Sequence, residues 1–261
     1  MRERKTMRVL IIIPAYNEEK SLKRVMEHLK AVCPQLDYLI INDGSTDRTK
    51  AICIENQYHV MHFPENQGLT KVIQTGMRYA LERDYDAALQ FDADGQHLPE
   101  YIESMVSLME ETGCDIVIAS RFKDGKMPFR LRTLGGKLIS AAIRLTTGQS
   151  LTDPTSGMRL YGRRIIRQFA RDSSCAPEPD TIASMVRMGA NVQEVKVEME
   201  DRKEGKSYLT PVNATKYMIK ELSAILIFQW FRGKENIAKG PDNTQRPEFR
   251  ELESGGGGRK L

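Results

Sequence analysis

Apolar runs and amphipathic segments alternate over the first 120 residues of the chain. The apolar runs that predict strands are 8–13, 38–41, 59–62, 87–91 and 115–119. Between them, apolar residues recur every three or four positions, which is the spacing of one helix face. Apolar runs without alternation are typical of strands covered on both faces of a parallel sheet. The pattern therefore predicts an α/β fold, with a mostly parallel sheet and helices on both of its faces.

The rhythm changes after residue 120. The elements predicted there are a helix over 132–147, a turn and strand over 151–161, a helix ending at Met188, a strand over 192–199 and a helix over 212–231. Residues 233–261 are polar and rich in glycine, which predicts a disordered tail. We therefore expect one compact domain over residues 1–232.

Polar turns follow three of the predicted strands, at residues 14–19, 42–47 and 92–97. The carboxyl ends of parallel strands meet at one edge of a sheet, and doubly wound sheets bind nucleotides there. The third turn carries Asp92 and Asp94, whose oxygens are hard ligands suited to Mg²⁺ or Mn²⁺. A cation held there could grip a diphosphate and stabilise the charge that the diphosphate gains on leaving.

Composition excludes several classes of protein. A formal charge of +4 is compatible with phosphorylated substrates or an anionic membrane surface, but it is too small to indicate nucleic-acid binding. The four cysteines form no CxxC pair, which argues against a zinc site and fits a reducing cytosol. No window approaches the roughly 20 apolar residues of a membrane span. We expect a cytoplasmic protein, peripheral at the inner face of the membrane if its last helix docks there.

The three polar turns resemble those of family 2 glycosyltransferases. They read, in order, PAYNEE at 14–19, NDGSTD at 42–47 and DADGQH at 92–97, and the last is most similar to the dolichyl-phosphate mannosyltransferase-like branch. Later motifs agree, namely ASR at 119–121, SGMRL at 156–160 and RKEGKS at 202–207. The resemblance covers roughly residues 7–232. It implies the GT-A fold, with a nucleotide-binding half over 7–120 and an acceptor half over 121–232.

The resemblance also implies roles for residues on the donor side. Those expected to line the donor nucleotide are Pro14, Tyr16, Glu18, Asp43, Lys71 and Asp92. Asp43 would bond the base, and Asp92 would face the ribose or lie behind the metal ligands. Asp94, helped by Gln96, would coordinate Mg²⁺ or Mn²⁺. Lys71 marks a departure, since relatives often carry a basic-glycine run directly after the Asn-x-Gly turn and Lys71 lies one turn later.

On the acceptor side, the resemblance implies phosphate or acceptor contacts for Arg121, Arg132, Arg202 and Ser207. Guanidinium groups suit such contacts because they bind phosphate oxygens in pairs. Asp153 stands where relatives place a candidate catalytic base. It would take the proton of a hydroxyl acceptor, whereas a lipid phosphate is already ionised and needs no strong base. His97 has two open interpretations, a metal or phosphate ligand and a polar residue ahead of the next helix.

These features predict inverting transfer of a sugar from a nucleoside diphosphate sugar to a polyprenyl phosphate or a cell-envelope glycan. A polysaccharide-chain glycosyltransferase acting on a sugar hydroxyl shares every nucleotide motif and remains an alternative. A non-catalytic nucleotide-sugar binding module is a third class, against which Asp94 and Asp153 count. A dehydrogenase is disfavoured, because no GxGxxG motif follows the first strand. The apolar segment within 212–232 could be a core helix or could dock on a membrane or a membrane protein.

Overall fold

The computed structural model describes residues 6–124, 131–200 and 211–227, with only the backbone described at 131–133 and 211–215. The strands are β1 (Val9–Ala15), β2 (Asp37–Asn42), β3 (Val60–His62), β4 (Ala87–Gln90), β5 (Ile116–Ser120), β6 (Arg159–Gly162) and β7 (Val192–Lys196). The helices are α1 (Leu22–Val32), α2 (Thr49–Glu55), α3 (Leu69–Glu82), α4 (Ile102–Thr112), α5 (Leu131–Thr147), α6 (Arg163–Arg171), α7 (Pro179–Arg187) and α8 (Pro211–Leu226). These elements include every predicted strand and helix.

All seven strands form one sheet in the order β3-β2-β1-β4-β6-β5-β7. β1 pairs in parallel with both β2 and β4, β2 pairs in parallel with β3, and β5 pairs in parallel with β7. Among the strands in the described ranges, only β6 runs antiparallel to its neighbours, β4 and β5. The mostly parallel α/β sheet predicted from the sequence is therefore confirmed, with one reversed strand inserted between β4 and β5.

Helices cover both faces of the sheet, as predicted. One apolar cluster joins one face to α1, α2 and α4, and the other joins the opposite face to α3 and α5 to α8. Successive residues of β1 divide between them, with Ile11 and Ile13 on the first face and Leu10 and Ile12 on the second. This two-sided burial explains why the strands read as continuous apolar runs.

Two elements differ from the sequence prediction. Helix α6 was not predicted, because its nine residues include four arginines and its buried apolar residues are few. Ile165, Ile166 and Phe169 nevertheless give it a fully buried face. β7 is shorter than the predicted 192–199, since it ends at Lys196.

The end of the chain lies largely outside the described residues. The last helix begins at Pro211, close to its predicted start, and is described to Leu226. Residues 228–231 of the predicted helix and the predicted tail at 233–261 are outside the described part. Across the ranges that the structure covers, none of the helices combines the length and the apolar character needed to span a bilayer.

Candidate functional site

The three polar turns lie side by side at one edge of the sheet. In the parallel pairing, Ala15 of β1 lies opposite Asn42 of β2, and Ile12 of β1 lies opposite Gln90 of β4. The turns that follow these strands therefore leave the sheet next to one another. This is the edge at which ligands bind in doubly wound sheets.

Hydrogen bonds join the first turn to the second. The Asn17 side-chain oxygen accepts from the backbone N–H of Thr46 at 2.8 Å, while the Asn17 N–H donates to Ser45 Oγ at 3.0 Å. The Glu19 N–H donates to Asp47 Oδ2 at 3.0 Å. Asn17 adopts a left-handed conformation with φ of 56°, which asparagine tolerates better than most residues. The two turns therefore form a single connected surface.

Asp43 is buried and bonds to the loop that follows β3. Its Oδ1 accepts from the Gln67 N–H at 2.7 Å, and its Oδ2 accepts from the Gly68 N–H at 2.9 Å. Gly44 has φ of 66°, and a Cβ there would lie 2.3 Å from the Glu65 carbonyl carbon. Asp43 thus holds the turn and the loop together, and its predicted bond to a base would use its remaining lone pairs.

The other predicted donor residues lie along the same edge. Pro14 is half-buried in β1, and Tyr16 is exposed immediately beyond it. The Glu18 carboxylate accepts from the Ser21 hydroxyl at 2.6 Å, which places it at the start of α1. Lys71 is exposed in the first turn of α3, directly after the loop that Asp43 holds.

His97 holds the backbone of Asp92. Its Nδ1 accepts from the Asp92 N–H at 3.0 Å, so its proton is on Nε2, which lies 3.7 Å from Asp92 Oδ2. The ring is buried and makes an edge-to-face contact with Phe91. Neither interpretation left open by the sequence, a metal or phosphate ligand and a polar residue ahead of the next helix, included this contact. It makes His97 a positioning residue for Asp92.

Gly157, in the SGMRL motif, packs directly on the same carboxylate. A Cβ at this position would lie 2.8 Å from Asp92 Oδ2 and 3.4 Å from His97 Cε1. Contacts below 3.0 Å force neighbouring atoms to move. A side chain at this position would therefore displace the Asp92 carboxylate or its turn, and the turn before β6 forms the wall against which Asp92 is placed.

Asp94 and Gln96 supply oxygens suited to a divalent cation. Asp94 is half-buried, and its Oδ1 accepts from the Gln96 N–H at 3.0 Å. The Gln96 side-chain nitrogen donates to the Glu200 carbonyl at 3.4 Å, which leaves its oxygen available. Within the described ranges, no three His, Cys, Asp or Glu side chains form a ligand cluster. The donors therefore fit an ion such as Mg²⁺, which takes one or two protein carboxylates together with substrate phosphates and waters.

Asp153 and Arg121, which the resemblance assigns to separate roles, form one ion pair. Arg121 Nε donates to Oδ2 at 2.6 Å and Nη2 donates to Oδ1 at 2.8 Å. The Arg121 N–H and the Thr155 hydroxyl donate to the same carboxylate at 3.2 and 3.0 Å. Burial lowers the pKa of Arg121, but the hydrogen bond and charge of Asp153 outweigh it and raise that pKa above its ordinary value.

This pairing bears on the predicted base. Asp153 is only 2% exposed, and both of its oxygens accept bonds from Arg121. The carboxylate therefore holds the Arg121 guanidinium in place, and the role of Asp153 as base stays a prediction. Arg121 itself is one-third exposed, and its Nη1 bonds to none of the described residues.

Glu194 of β7 is a functional neighbour that the sequence did not single out. Its carboxylate is nearly buried and accepts from the N–H groups of Thr152 and Asp153 at 2.9 Å and from the Thr152 hydroxyl at 2.8 Å. It thereby fixes the turn that presents Asp153 to Arg121. The available signal was its position in the strand, since Glu194 alternates in phase with Val192, which faces inward.

Arg159 of the SGMRL motif is buried and supports the same turn from beneath. Its Nε donates to the Ser156 carbonyl at 2.7 Å, and its Nη2 donates to the Pro154 carbonyl at 2.8 Å. Burial lowers its pKa, yet Tyr161 together with more distant acidic groups raises it overall. Within the SGMRL motif, Arg159 therefore supports the turn, and Gly157 forms the wall beside the Asp92 carboxylate.

Three predicted phosphate or acceptor residues cannot be placed by their side chains. Arg202 and Ser207 lie outside the described residues, and only the backbone of Arg132 is described, in the first turn of α5. Glu200 is the last described residue before Arg202 and Ser207. Its N–H donates to the Gln96 carbonyl at 3.1 Å. The second described range therefore ends at Glu200, beside the predicted metal ligand Gln96.

This chain matches one family model and is similar to several known proteins. The model of glycosyl transferase family 2 matches residues 10–169. A polyprenol monophosphomannose synthase of Mycolicibacterium smegmatis is 30% identical over 253 residues, covering 91% of this chain and 92% of the relative. An undecaprenyl-phosphate mannosyltransferase of Micrococcus luteus is 32% identical over 78% of this chain and 88% of the relative.

Solved structures share the fold. Glucosyl-3-phosphoglycerate synthase from Mycobacterium tuberculosis, in complex with Mn²⁺, UDP-glucose and phosphoglyceric acid, has a TM-score of 0.62. The sequences are 16% identical over 84% of this chain and 80% of that one. At this identity the likeness concerns the fold alone, and it confirms the expected GT-A architecture.

Proposed function

Since the chain belongs to glycosyl transferase family 2, we propose that it transfers a sugar from a nucleoside diphosphate sugar to a polyprenyl phosphate. Relatives whose names specify polyprenol or undecaprenyl-phosphate sugar transfer align over nearly their whole length. The turns that carry the donor and metal candidates share one sheet edge. Together these support a transferase of this kind.

One observation supports the phosphate acceptor most directly, namely the saturation of Asp153 by Arg121. An acceptor hydroxyl must lose a proton as it attacks, whereas a phosphate monoester oxygen is already ionised. In this site the buried Asp153 carboxylate orients the Arg121 guanidinium, and this arrangement suits a phosphate acceptor. Arg121, held in place and partly exposed, can then bind the acceptor phosphate through its remaining N–H groups.

The proposed reaction is an inverting displacement. An oxygen of the acceptor phosphate forms a bond to the anomeric carbon, while the bond from that carbon to the donor diphosphate breaks on the opposite face. The diphosphate keeps the electron pair and departs with the nucleotide. Tyr16 and Asp43 would line the base at the exposed edge, and Asp92, fixed by His97 and Gly157, would face the ribose.

We further propose that Asp94 and Gln96 hold Mg²⁺ or Mn²⁺ when the donor is bound. When bound, such an ion neutralises the charge that develops on the departing diphosphate. The half-buried Asp94 carboxylate and the Gln96 amide oxygen present the hard ligands that these ions prefer. Arg202 and Ser207, which follow the Glu200 anchor in the chain, remain proposed phosphate contacts, as do Arg132 and Lys71.

The acceptor class can be tested with three matched acceptors. Purified protein is incubated with Mn²⁺, a panel of nucleoside diphosphate sugars, and a polyprenyl phosphate, the corresponding polyprenol, or an oligosaccharide. We expect transfer to the phosphate and none to the polyprenol, because the two differ only in the phosphate. Transfer to the polyprenol or the oligosaccharide at a comparable rate would instead favour a hydroxyl acceptor.

A further inference from the structure

Gln90 is a buried polar residue at the end of an otherwise apolar strand. All four residues of β4, with the sequence AALQ, are buried, and Gln90 is 2% exposed. A buried amide costs stability unless both its N–H and its C=O groups are bonded. Gln90 meets only half of this condition, because its Nε2 donates to Asp92 Oδ1 at 3.3 Å while its Oε1 has no partner among the described residues.

Arg159 lies directly opposite Gln90 on β6. The two residues are register partners in the antiparallel pair of β4 and β6. Side chains of directly opposed residues leave the same face of a sheet, with Cβ atoms about 4.5–5.5 Å apart. Arg159 is also buried, and within the described ranges its Nη1 has no partner, whereas its Nε and Nη2 both donate to carbonyls. A buried acceptor and a buried donor without partners therefore belong to neighbouring side chains.

The buried cation favours one orientation of the Gln90 amide. A guanidinium carries only donors, so it attracts the carbonyl end of a neighbouring amide and disfavours its NH2 end. With the carbonyl end turned towards Arg159, the NH2 group is left to donate to Asp92. The opposite orientation would set the amide oxygen against an ionised carboxylate, which has no proton to offer.

We propose that Gln90 is a positioning residue for Asp92 and is itself oriented by Arg159. Asp92 is then held at three points, by His97 at its backbone N–H, by Gly157 against Oδ2 and by Gln90 at Oδ1. Among the side chains that the structure describes, Gln90 is the one that donates a hydrogen bond to the carboxylate itself. It therefore fixes the rotation of the carboxylate that is proposed to face the donor.

The same two residues connect the donor side of the site to the acceptor side. Arg159 donates to two carbonyls of the turn that follows Asp153. Gln90 therefore lies between that turn and the carboxylate of Asp92. This inference rests on the proposed function, since the donor is the ligand that Asp92 would contact.

Two replacements of similar length separate the roles of Gln90. Gln90→Met fills the space without polar groups, whereas Gln90→Glu keeps an acceptor for Arg159 but, when ionised, has no donor for Asp92. The probe is the tightest binder among ADP, CDP, GDP and UDP with Mn²⁺, measured by calorimetry on the full chain. We expect Gln90→Met to weaken its binding roughly tenfold, which is what one hydrogen bond to a charged group commonly contributes. Gln90→Glu should lose at least as much, because it places a second carboxylate beside Asp92.

Gln74 provides a matched control. It is a buried glutamine on α3, 4% exposed, whose Nε2 donates to the carbonyls of Ser173 and Cys175 at 2.8 and 2.7 Å. These bonds hold the connection between α6 and α7, so Gln74→Met should lower the thermal unfolding temperature and leave nucleotide affinity unchanged. Gln90→Met should do the reverse, with an unfolding temperature close to that of wild type and weaker binding. A lower unfolding temperature of Gln90→Met with wild-type affinity would mark Gln90 as merely structural and overturn the proposal.

A double-mutant cycle shows whether Gln90 acts through Asp92. Gln90→Met should weaken nucleotide binding roughly tenfold in the wild-type background and less than about twofold in the Asp92→Ala background. Equal losses in the two backgrounds would overturn the proposal. Wild-type affinity in Gln90→Glu would also overturn it, because Gln90 would then serve Arg159 alone. A wild-type chain that binds none of the four nucleotides would overturn the proposed function itself, a result distinct from the failure of the Gln90 variants alone.

Discussion

At the scale of single residues, the packing of Gly157 on Asp92 gives a sharp prediction. In Gly157→Ala the new Cβ would lie 2.8 Å from Asp92 Oδ2, so the carboxylate or its turn must shift. A misplacement of about 1 Å in a group that positions the substrate can cost about a hundredfold in rate, and smaller shifts cost less. We expect Gly157→Ala to lower kcat/KM by roughly 10- to 100-fold in a steady-state transfer assay.

Gly162, at the other end of β6, provides the control for this substitution. A Cβ there would meet the Asp115 carbonyl at 3.3 Å, a tight contact far from the polar turns. Gly162→Ala can therefore lower the stability of the fold, but we expect it to preserve kcat/KM. A Gly157→Ala enzyme with normal activity would show that the wall does not position Asp92.

The pair formed by Arg121 and Asp153 gives a second prediction at this scale. Asp153→Asn keeps the size of the side chain but removes the charge that holds the guanidinium in place. If Asp153 positions Arg121, we expect a higher KM for the acceptor phosphate and an unchanged shape of the pH–rate profile. The measurement is kcat and KM against pH for both enzymes. If the pH–rate profile of Asp153→Asn instead lost the limb that reports a base, with KM unchanged, Asp153 would be the proton acceptor.

At this scale, sequence reasoning predicted that the three turns lie together, but it did not predict the bonds between their residues. Asp92, Asp94 and Asp153 were identifiable because each lies in a short polar motif. The bond from Asp92 to His97 and the pairing of Asp153 with Arg121 were not, since a motif does not show which side chains face each other. Partners such as Arg121 and Asp153 are 32 residues apart in the chain and meet only after β5 and β6 have paired.

At the scale of elements, the contact between α7 and α8 leads to a prediction about stability. Glu221 of α8 is buried beside Glu178 and Asp180 at the start of α7, with Lys220 as its nearby cation. Burial raises the pKa of Glu221 to about 7, and the charges of Glu178 and Asp180 act in the same direction. In addition, the Tyr217 hydroxyl donates to Glu178 at 2.6 Å.

The sign of the pH dependence follows from this raised pKa. In the unfolded chain Glu221 loses its proton near 4.5, whereas in the folded protein it keeps the proton up to about 7. Between these values the unfolded state binds fewer protons, so this residue makes stability fall as pH rises through that window. Above about pH 7 the loss is complete.

Replacement of Glu221 by glutamine should remove this loss. We expect the unfolding free energy of Glu221→Gln, relative to wild type, to be greater at pH 8 than at pH 5 by on the order of 1–3 kcal/mol. Urea unfolding of both proteins at the two pH values measures it. Glu103→Gln, at an exposed position on α4, controls for the loss of a carboxylate as such. A difference between variant and wild type that does not change with pH would contradict a proton held by Glu221.

The sequence predicted the type of the strongly periodic elements and missed the element with the weakest apolar signal. Strands β1 and β4 read clearly because both of their faces are covered. Helix α6 was hidden by its arginines, some of which bond to other elements, as Arg164 does to Asp115. The position of β6 between β4 and β5 depends on pairing over a long chain separation, which local patterns do not encode.

At the scale of the whole molecule, one sheet edge is proposed to gather the donor and the cation. The parallel order β2-β1-β4 places the three polar turns together, and the antiparallel β6 brings Gly157 and the Asp153 turn against them. The alternation of strands and helices in the first 120 residues predicted that the three polar turns lie together. The placement of Gly157 and the Asp153 turn against them required the strand order, which only the structure provides.

The central claim is sugar transfer to a polyprenyl phosphate at this edge, with a divalent cation held by Asp94. The most direct test measures transfer from the preferred nucleoside diphosphate sugar to a polyprenyl phosphate by wild type and by Asp94→Ala, each with Mn²⁺ and with excess chelator. We predict wild-type turnover that the chelator abolishes, and a loss of at least roughly 100-fold in Asp94→Ala with Mn²⁺ present, because a transition-state charge would lose its stabilisation. Equal turnover by the two proteins, or wild-type turnover that is indifferent to the chelator, would contradict the account.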